Sequence, residues 1–206
     1  MRMRKKKNTD ERIQACAGYM YRNGVSERKN LHLEIGCGKG NFICATAQKF
    51  PEINFTAVEK IPDVIVSAIE KAKSLNLPNI KFLIADAKNL AEYFSKDSID
   101  TLYLNFSDPW HKRYQHNNRL TSPAFLEIYK KIMKPNAKII FKTDNTELFD
   151  YSIKNMPVHN FEIIRKTYDL YNSEFFVGGD NIQSEYEKKF AEQNIKICYL
   201  EAVNKT

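Results

Sequence analysis

Three glycines stand at every second position in the segment EIGCGKGNF, at Gly36, Gly38 and Gly40. Glycine lets the backbone approach a ligand closely, and such a turn exposes amide groups at the start of the following helix. The dinucleotide fingerprint is G-x-G-x-x-G, whereas Asn41 stands at the position after Gly40, so the spacing disfavours a nicotinamide dehydrogenase. A nucleoside cofactor that carries an amino acid and no phosphate, such as S-adenosylmethionine, fits this turn.

Acidic residues end three successive predicted strands, at Glu34, Glu59 and Asp86. Glu34 suits the methionine ammonium of the cofactor, because a buried unpaired carboxylate costs several kcal/mol; alternatively it faces solvent from a half-exposed strand. Glu59 lies about twenty residues beyond the glycines, where an acid accepts hydrogen bonds from ribose hydroxyls. Asp86 can accept from the adenine amino group, with the backbone amide of Ala87 beside the ring. Either Glu59 or Asp86 can instead cap the next helix.

The segment NFSDPWHKRYQHNNRL combines an acid, the only tryptophan and several cations. Asp108 can accept hydrogen bonds from N1–H and the exocyclic amine of a guanine, Trp110 can stack on a base, and the cations can bind phosphate. The cations and histidines are His111, Lys112, Arg113, His116 and Arg119. The alternatives are a core tryptophan and ordinary loop histidines.

Strand-like segments alternate with helix-like segments along the chain. The predicted strands cover residues 31–35, 54–60, 80–86, 99–106, 137–144, 161–168 and 195–202. The predicted helices cover residues 9–21, 41–50, 62–75, a short stretch near 90, 123–133, a segment from about 146, and 184–191. The fold class is therefore α/β, with a doubly wound, mostly parallel, seven-stranded Rossmann-like sheet and an antiparallel C-terminal strand. Such sheets bind ligands at the carboxyl ends of their strands.

Two later segments have structural explanations of their own. Asp144, which ends the fifth strand in FKTDN, can cap the helix that begins near Thr146. Ser184 and Glu187 form an S-x-x-E capping box at the start of the last helix. The loop before it contains Gly178 and Gly179 and is a candidate mobile loop that orders on binding.

Composition restricts the functional classes. The chain has 206 residues, 43% hydrophobic, and a net charge of +7, which favours a polyanionic partner such as nucleic acid. Residues 1–7 form a basic arm, which is either a solubilising tail or an RNA-contacting segment. The four cysteines include no C-x-x-C pair, so neither disulfides nor a zinc site are expected. With no apolar run of about 18 residues and no signal peptide, a cytoplasmic protein is expected.

The motifs EIGCGKGNF, VEK, AD, NFSDPWHK, FKTDN and SEYEKKF occur in this order and together resemble the bacterial tRNA (guanine-N7-)-methyltransferases. The resemblance extends over essentially the whole chain beyond the basic arm. Two departures stand out: His111 follows the tryptophan where the family usually has proline, and Ser184 replaces a usual threonine. Basic residues are also sparse between Tyr114 and Asn118.

The resemblance implies methylation of a guanosine in the variable loop of tRNA by an S-adenosylmethionine-dependent domain over residues 8–206, a monomer or homodimer without metal. It implies that Asp108 is catalytic and lies at the cofactor. The substrate residues it implies are Lys112, Asp144, Ser184, Glu185, Tyr186 and Glu187, and the expected RNA contacts are Trp110, Arg113, Tyr114, His116 and Arg119.

The expected chemistry demands positioning more than proton transfer. Guanine N7 carries an in-plane lone pair and no proton, so its in-line attack on a sulfonium methyl needs no obligatory general base. Asp108 is expected to orient the base and to stabilise the cation that develops on it. The rival interpretations are methylation of another nucleic-acid amine, a nicotinamide dehydrogenase, and a noncatalytic RNA-binding module.

Overall fold

The computed structural model describes residues 8–21, 25, 29–174, 176 and 181–206. Its strands are β1 Leu31–Ile35, β2 Asn54–Glu59, β3 Ile80–Ile84, β4 Ile99–Asn105, β5 Met133–Thr143, β6 Phe161–Thr167 and β7 Cys198–Asn204. They form one sheet with the strand order β3-β2-β1-β4-β5-β7-β6. β7 runs antiparallel to both of its neighbours, whereas β1 to β5 are parallel to one another, as the sequence predicts.

Helices cover both faces of the sheet, so that two apolar cores form. One core packs α2 and α3 against residues such as Phe55 and Phe82, and the other packs α4, α5 and α6 against residues such as Leu33 and Leu102. The helices are α1 Thr9–Gln14, α2 Asn41–Lys49, α3 Pro62–Ser74, α4 Leu90–Tyr93, α5 Pro123–Ile132, α6 Thr146–Val158 and α7 Glu185–Glu192. This arrangement is the doubly wound fold.

The topology places the candidate ligand residues at one edge. β1 pairs with β2 on one side and with β4 on the other, so the direction of winding reverses at β1. Leu31, Leu33 and Ile35 enter one core, and Glu34 faces the opposite side of the sheet. The carboxyl ends of β1, β2 and β4 therefore meet at the switch point, where ligands bind in this fold.

Several element boundaries differ from the prediction. α1 ends at Gln14 rather than near residue 21, and a 3₁₀ turn at Ala17–Tyr19 follows it, consistent with the low helix propensity of Gly18. β5 begins at Met133 rather than at residue 137. Its pairing with β4 is irregular around Pro135 and Asn136, because proline has no amide to donate. β7 begins at Cys198 and extends to Asn204.

Two predicted segments lie outside the described residues: the basic arm at 1–7 and the loop containing Gly178 and Gly179. No helix in the described part of the chain is long and apolar enough to cross a membrane. Among the same residues, no group of three or more His, Cys, Asp and Glu side chains is arranged to hold a metal ion. All four cysteines are buried free thiols.

Candidate active site at the carboxyl edge of the sheet

The glycine turn has two distinct structural requirements. Gly36, Gly38 and Gly40 all have positive φ, at 77°, 57° and 73°. A Cβ on Gly40 would lie 2.6 Å from the Cβ of Ala68 on α3, so this glycine is needed for packing between α2 and α3. A Cβ on Gly36 or Gly38 would meet no atom within 4 Å, which leaves open space beside the turn. These two glycines therefore leave room for a ligand to approach the backbone.

Glu34 is a buried carboxylate with one oxygen left without a partner. The residue is 3% exposed, which excludes the solvent-facing alternative. Its Oε1 accepts a hydrogen bond of 3.0 Å from Nδ2 of Asn105, while Oε2 has no partner among the described residues. Burial raises the pKa of Glu34 to about 7, against the opposing effect of Asn105. A ligand ammonium would compensate this charge, and the site fits the cofactor predicted from the sequence.

The other two predicted cofactor acids already hold backbone amides. Glu59 accepts from the amide of Gly38 at 3.2 Å and from that of Ile61 at 3.0 Å, which ties the glycine turn to the start of α3. Asp86 accepts from the amide of Lys88 at 3.0 Å and so caps a 3₁₀ turn at Ala87–Asn89, the alternative role left open by the sequence. The Lys60 ammonium, 2.6 Å from Asp86, holds the pKa of that carboxyl below its usual range.

Asp108 lies in the loop that leaves β4, directly beyond Asn105. Its side chain is exposed, and no hydrogen bond to it occurs among the described residues. The loop backbone is unusual, because Phe106 and Trp110 both have positive φ, at 52° and 45°. These outliers flank Asp108 on both sides, and Trp110 itself is half-buried. The loop therefore holds a solvent-accessible carboxylate in a constrained backbone, three residues beyond the Asn105 that contacts Glu34.

The predicted RNA contacts and the predicted substrate residue Lys112 divide into exposed and buried residues. Lys112, Arg113 and Tyr114 are exposed, and the ammonium of Lys112 lies 5.9 Å from the Tyr114 ring centroid. His116 is half-buried against the Tyr151 ring. Arg119 is only 1% exposed, so it cannot reach a phosphate in this structure, and the expectation of an RNA contact is corrected for this residue.

Asp144 is exposed at the end of β5, but it does not cap α6. Oδ1 of the next residue, Asn145, accepts the hydrogen bond from the amide of Leu148 at 2.7 Å. The predicted capping role of Asp144 is therefore wrong, and its carboxylate remains available at the edge that carries Asp108.

The segment from Ser184 to Glu187 begins α7 and divides its side chains between two environments. Ser184 caps the helix by accepting from the amide of Glu187 at 3.1 Å, which is the serine half of the predicted capping box. The Glu187 carboxylate is fully buried and lies 3.0 Å from the ammonium of Lys142 on β5, where a direct substrate contact is not available to it. Burial lowers the pKa of Lys142, and Glu187 opposes that effect.

Glu185 and Tyr186 remain on the outside of α7. Glu185 accepts from the ammonium of Lys39 at 3.3 Å and from Nδ2 of Asn41 at 3.2 Å, so the helix rests on the glycine turn. Tyr186 is 60% exposed, and its ring stacks near Phe106 at a centroid distance of 6.4 Å. α7 therefore connects the glycine turn with the loop that carries Asp108.

Comparison with known proteins agrees with this geometry. The family described as "Putative methyltransferase" matches residues 28–200. A protein of Clostridioides difficile (strain 630) named tRNA (guanine-N(7)-)-methyltransferase is 37% identical over 213 residues, with 98% of each chain covered. A Listeria welshimeri protein of the same name is 44% identical over 172 residues, covering 84% of this chain and 79% of that protein. The chain belongs to this methyltransferase family.

Solved structures agree on the fold of this family member. A SAM-dependent methyltransferase from Aquifex aeolicus superposes with a TM-score of 0.59 at 14% identity, covering 95% of this chain and 89% of that one. An antibiotic-related methyltransferase gives a TM-score of 0.61 at 18% identity, covering 98% and 96%. The Rossmann-like methyltransferase fold predicted from the sequence is thus confirmed.

Sequence reasoning about this methyltransferase missed several polar residues at the site. Asn105 is the last residue of β4 and contacts Glu34, and Lys142 follows the apolar run IIF in β5. A polar residue directly after a run of apolar residues near the end of a strand was the available signal in both cases. The contact between Lys60 and Asp86 joins two strand ends, and no spacing rule within either strand indicates it.

Proposed function

We propose that this protein transfers a methyl group from S-adenosylmethionine to N7 of a guanosine in the variable loop of tRNA. The observation that carries the proposal is the unpaired carboxylate oxygen of buried Glu34 beside an open glycine turn. It occurs in a chain that matches proteins named tRNA (guanine-N(7)-)-methyltransferase over up to 98% of its length. A tRNA substrate is consistent with the cytoplasmic location expected from the sequence.

Five residues would hold the cofactor. Glu34 binds the methionine ammonium, and Gly36 leaves room for the methionine moiety to approach the backbone. The Glu59 carboxylate has lone pairs beyond those used by its two amide donors, and these accept from the ribose hydroxyls. Asp86 and Ala87 lie beside the adenine. When bound, the cofactor supplies a methyl group on a positively charged sulfur.

Asp108 is the proposed catalytic residue. Its exposed carboxylate accepts hydrogen bonds from N1–H and the exocyclic amine of guanine, a pair of donors that adenine does not present. The same negative charge stabilises the cation that develops on the base as N7 becomes methylated. Because N7 has no proton to lose, orientation supplies most of the catalysis, and well-oriented intramolecular reactions gain about 7–11 kcal/mol.

The tRNA is held by residues around this edge. Lys112, Arg113 and Tyr114 are exposed on the segment after Asp108, where the cations can contact phosphates. Asp144 and Tyr186 are exposed at the same edge and are the proposed contacts to the target nucleoside. The net charge of +7 favours the approach of a polyanion.

The test is methyl transfer to an unmodified tRNA transcript. Labelled S-adenosylmethionine is incubated with the protein and the transcript, and borohydride reduction followed by aniline cleavage locates N7-methylguanosine. We expect one cleavage site in the variable loop. Label incorporated without cleavage would indicate methylation of another atom, and tRNA binding without label would indicate a noncatalytic RNA-binding protein; either result refutes the proposal.

The role of Asp108 is tested by Asp108→Asn, which keeps the size of the side chain but removes its charge. We expect a decrease in kcat of about 10²- to 10³-fold, the usual cost of removing one group that stabilises transition-state charge. Asp97→Asn is the matched control, because Asp97 is an exposed aspartate at the opposite end of β4. Turnover by Asp108→Asn equal to that of this control would show that Asp108 is not catalytic.

A further inference from the structure

Arg119 is a buried arginine with an unusual set of partners. It is only 1% exposed. Nε donates to the backbone carbonyl of Pro109 at 2.7 Å, and Nη2 donates to the carbonyl of Trp110 at 3.4 Å. Nη2 also contacts Oε1 of Glu147 at 2.5 Å, and the guanidinium carbon lies 4.6 Å from the Tyr151 ring centroid. We refer to Arg119, Glu147 and Tyr151 as the Arg119 cluster.

The carbonyls that Arg119 binds belong to the loop that carries Asp108. Phe106 and Trp110, which flank this loop, have positive φ, a conformation that bulky L-residues rarely adopt. Such a backbone persists only when the surrounding structure holds it in place. The guanidinium supplies that support at Pro109 and Trp110, the two residues directly after Asp108.

The Arg119 cluster also joins this loop to the neighbouring strand end. Glu147 lies in the first turn of α6, three residues after Asp144. The Arg119 hydrogen bond holds the pKa of Glu147 below its usual range, so the pair is ionic. Arg119 therefore connects the loop after β4, with Asp108, to the helix after β5, beside Asp144.

Arginine suits this position better than lysine. A guanidinium is planar, presents donors along two edges and stacks on aromatic rings, whereas an ammonium is a single point charge. Here one edge faces the loop carbonyls and the plane lies over Tyr151. A lysine would keep the charge but could not make these contacts together.

We propose that Arg119 is a positioning residue that fixes the Pro109–Trp110 backbone and thereby directs the Asp108 carboxylate at the target guanine, rather than a contact to tRNA. The inference rests on the proposed function, in which Asp108 orients the base. Arg119, although it belongs to the basic segment after Asp108, therefore acts inside the protein.

The test compares three variants of the full chain. Arg119→Met removes the guanidinium, and Arg119→Lys keeps the charge. Arg113→Met is the matched control, because it removes an exposed arginine from the same segment. The measurements are kcat at saturating tRNA and cofactor, the Kd for tRNA at several salt concentrations, and the acrylamide quenching of Trp110 fluorescence. Trp110 is the only tryptophan, so its emission reports on this loop alone.

For both Arg119 variants we expect kcat to fall by about 10- to 100-fold, the loss that follows a displacement of about 1 Å in a catalytic group. We expect quenching of Trp110 to increase while the Kd for tRNA and its salt dependence stay unchanged. For Arg113→Met we expect unchanged quenching, weaker tRNA binding and a salt slope that is lower by about one, as for a phosphate contact.

Some results would overturn the proposal. One is an Arg119→Met protein with the kcat and the Trp110 quenching of wild type. Another is an Arg119→Met protein that changes only in its tRNA binding, with a higher Kd and a weaker salt dependence of that Kd, as expected for Arg113→Met. Should Arg119→Met fail to fold, Arg119→Lys and Glu147→Gln decide, with lower kcat and stronger quenching expected in each. If Arg119→Met, Arg119→Lys and Glu147→Gln all fail to fold, Arg119 supports the whole domain and the positioning role is rejected. An inactive wild type would refute the proposed function instead, and the quenching data would still decide the role of Arg119.

Discussion

Replacing Glu34 by glutamine should stabilise the cofactor-free protein and weaken cofactor binding. The two effects have one cause, the buried carboxylate whose Oε2 has no partner among the described residues. Glutamine has nearly the same shape, and its carbonyl can still accept the hydrogen bond from Asn105. The variant therefore removes the charge and leaves the packing in place.

The stability effect follows from the pKa of Glu34, which burial raises from 4.5 to about 7. Between these two pH values the folded state keeps a proton that the unfolded chain has lost, so the stability of the wild-type protein decreases as the pH rises through this window. The rise in pKa corresponds to about 3 kcal/mol. Glu34→Gln should therefore increase the free energy of unfolding by up to about 3 kcal/mol at pH 8, with little change near pH 4.5.

The binding effect has the opposite sign. A hydrogen bond to a charged group contributes about 1.5–3 kcal/mol, so losing the contact to the cofactor ammonium should raise the Kd for S-adenosylmethionine about 10- to 100-fold. In the wild type, the affinity should also fall about tenfold for each pH unit below 7, because binding requires the ionised carboxylate and protons compete for it. Glu34→Gln should lack this pH dependence.

Urea unfolding at pH 4.5 and 8 and calorimetric titration with S-adenosylmethionine measure these two effects. Glu52→Gln is the control, because Glu52 is exposed and precedes β2, at the edge of the sheet opposite the glycine turn. Unchanged cofactor affinity in Glu34→Gln would refute the assignment of the ammonium site. An unchanged free energy of unfolding at pH 8 would refute the buried, ionised carboxylate.

Three further single substitutions test the packing around the site. Gly40→Ala places a Cβ 2.6 Å from that of Ala68 and should reduce the free energy of unfolding by about 1–3 kcal/mol in urea titrations. Gly36→Ala is also strained by a positive φ, 77°, but it meets no protein atom within 4 Å, so it should lose less stability than Gly40→Ala and should lower cofactor affinity; a larger loss of stability than in Gly40→Ala would contradict this division. Lys142→Met leaves the buried Glu187 carboxylate without its cation and should cost about 3–5 kcal/mol in the same assay, much of it recovered when Glu187→Leu is added. If the losses in unfolding free energy of Lys142→Met and Glu187→Leu simply add in the double variant, the two side chains do not stabilise each other.

The sequence predicted the sheet because hydrophobic patterning and its periodicity are local properties of the chain. All seven strands were placed, and the glycine spacing and the acids at or near the ends of β1, β2 and β3 indicated the edge proposed to bind the cofactor. Boundaries were missed where the chain departs from regular geometry, as at Gly18 after α1 and at Pro135 in β5. Such departures depend on contacts with other elements, which periodicity does not show.

The candidate site shows where local patterns stop being sufficient. The sequence pointed to Asp144 as the cap of α6, and the structure has Asn145 in that role instead. Arg119 and Glu187 carry charge in segments that read as substrate contacts, yet both side chains are buried. Their partners, Glu147 and Lys142, lie on other elements of the fold, so burial rather than residue type decided their roles.

The sequence by itself determined the fold class and the kind of cofactor, and it indicated the sheet edge proposed to bind that cofactor, because each of these depends on residue types at short fixed spacings. Only the tertiary structure decided which charged side chains are exposed at that edge and which are buried inside the protein. That distinction depends on desolvation, and a charge is desolvated by residues that are far away in the chain: Asn105 approaches Glu34, and Glu147 approaches Arg119, only after the strands have paired and the helices have packed.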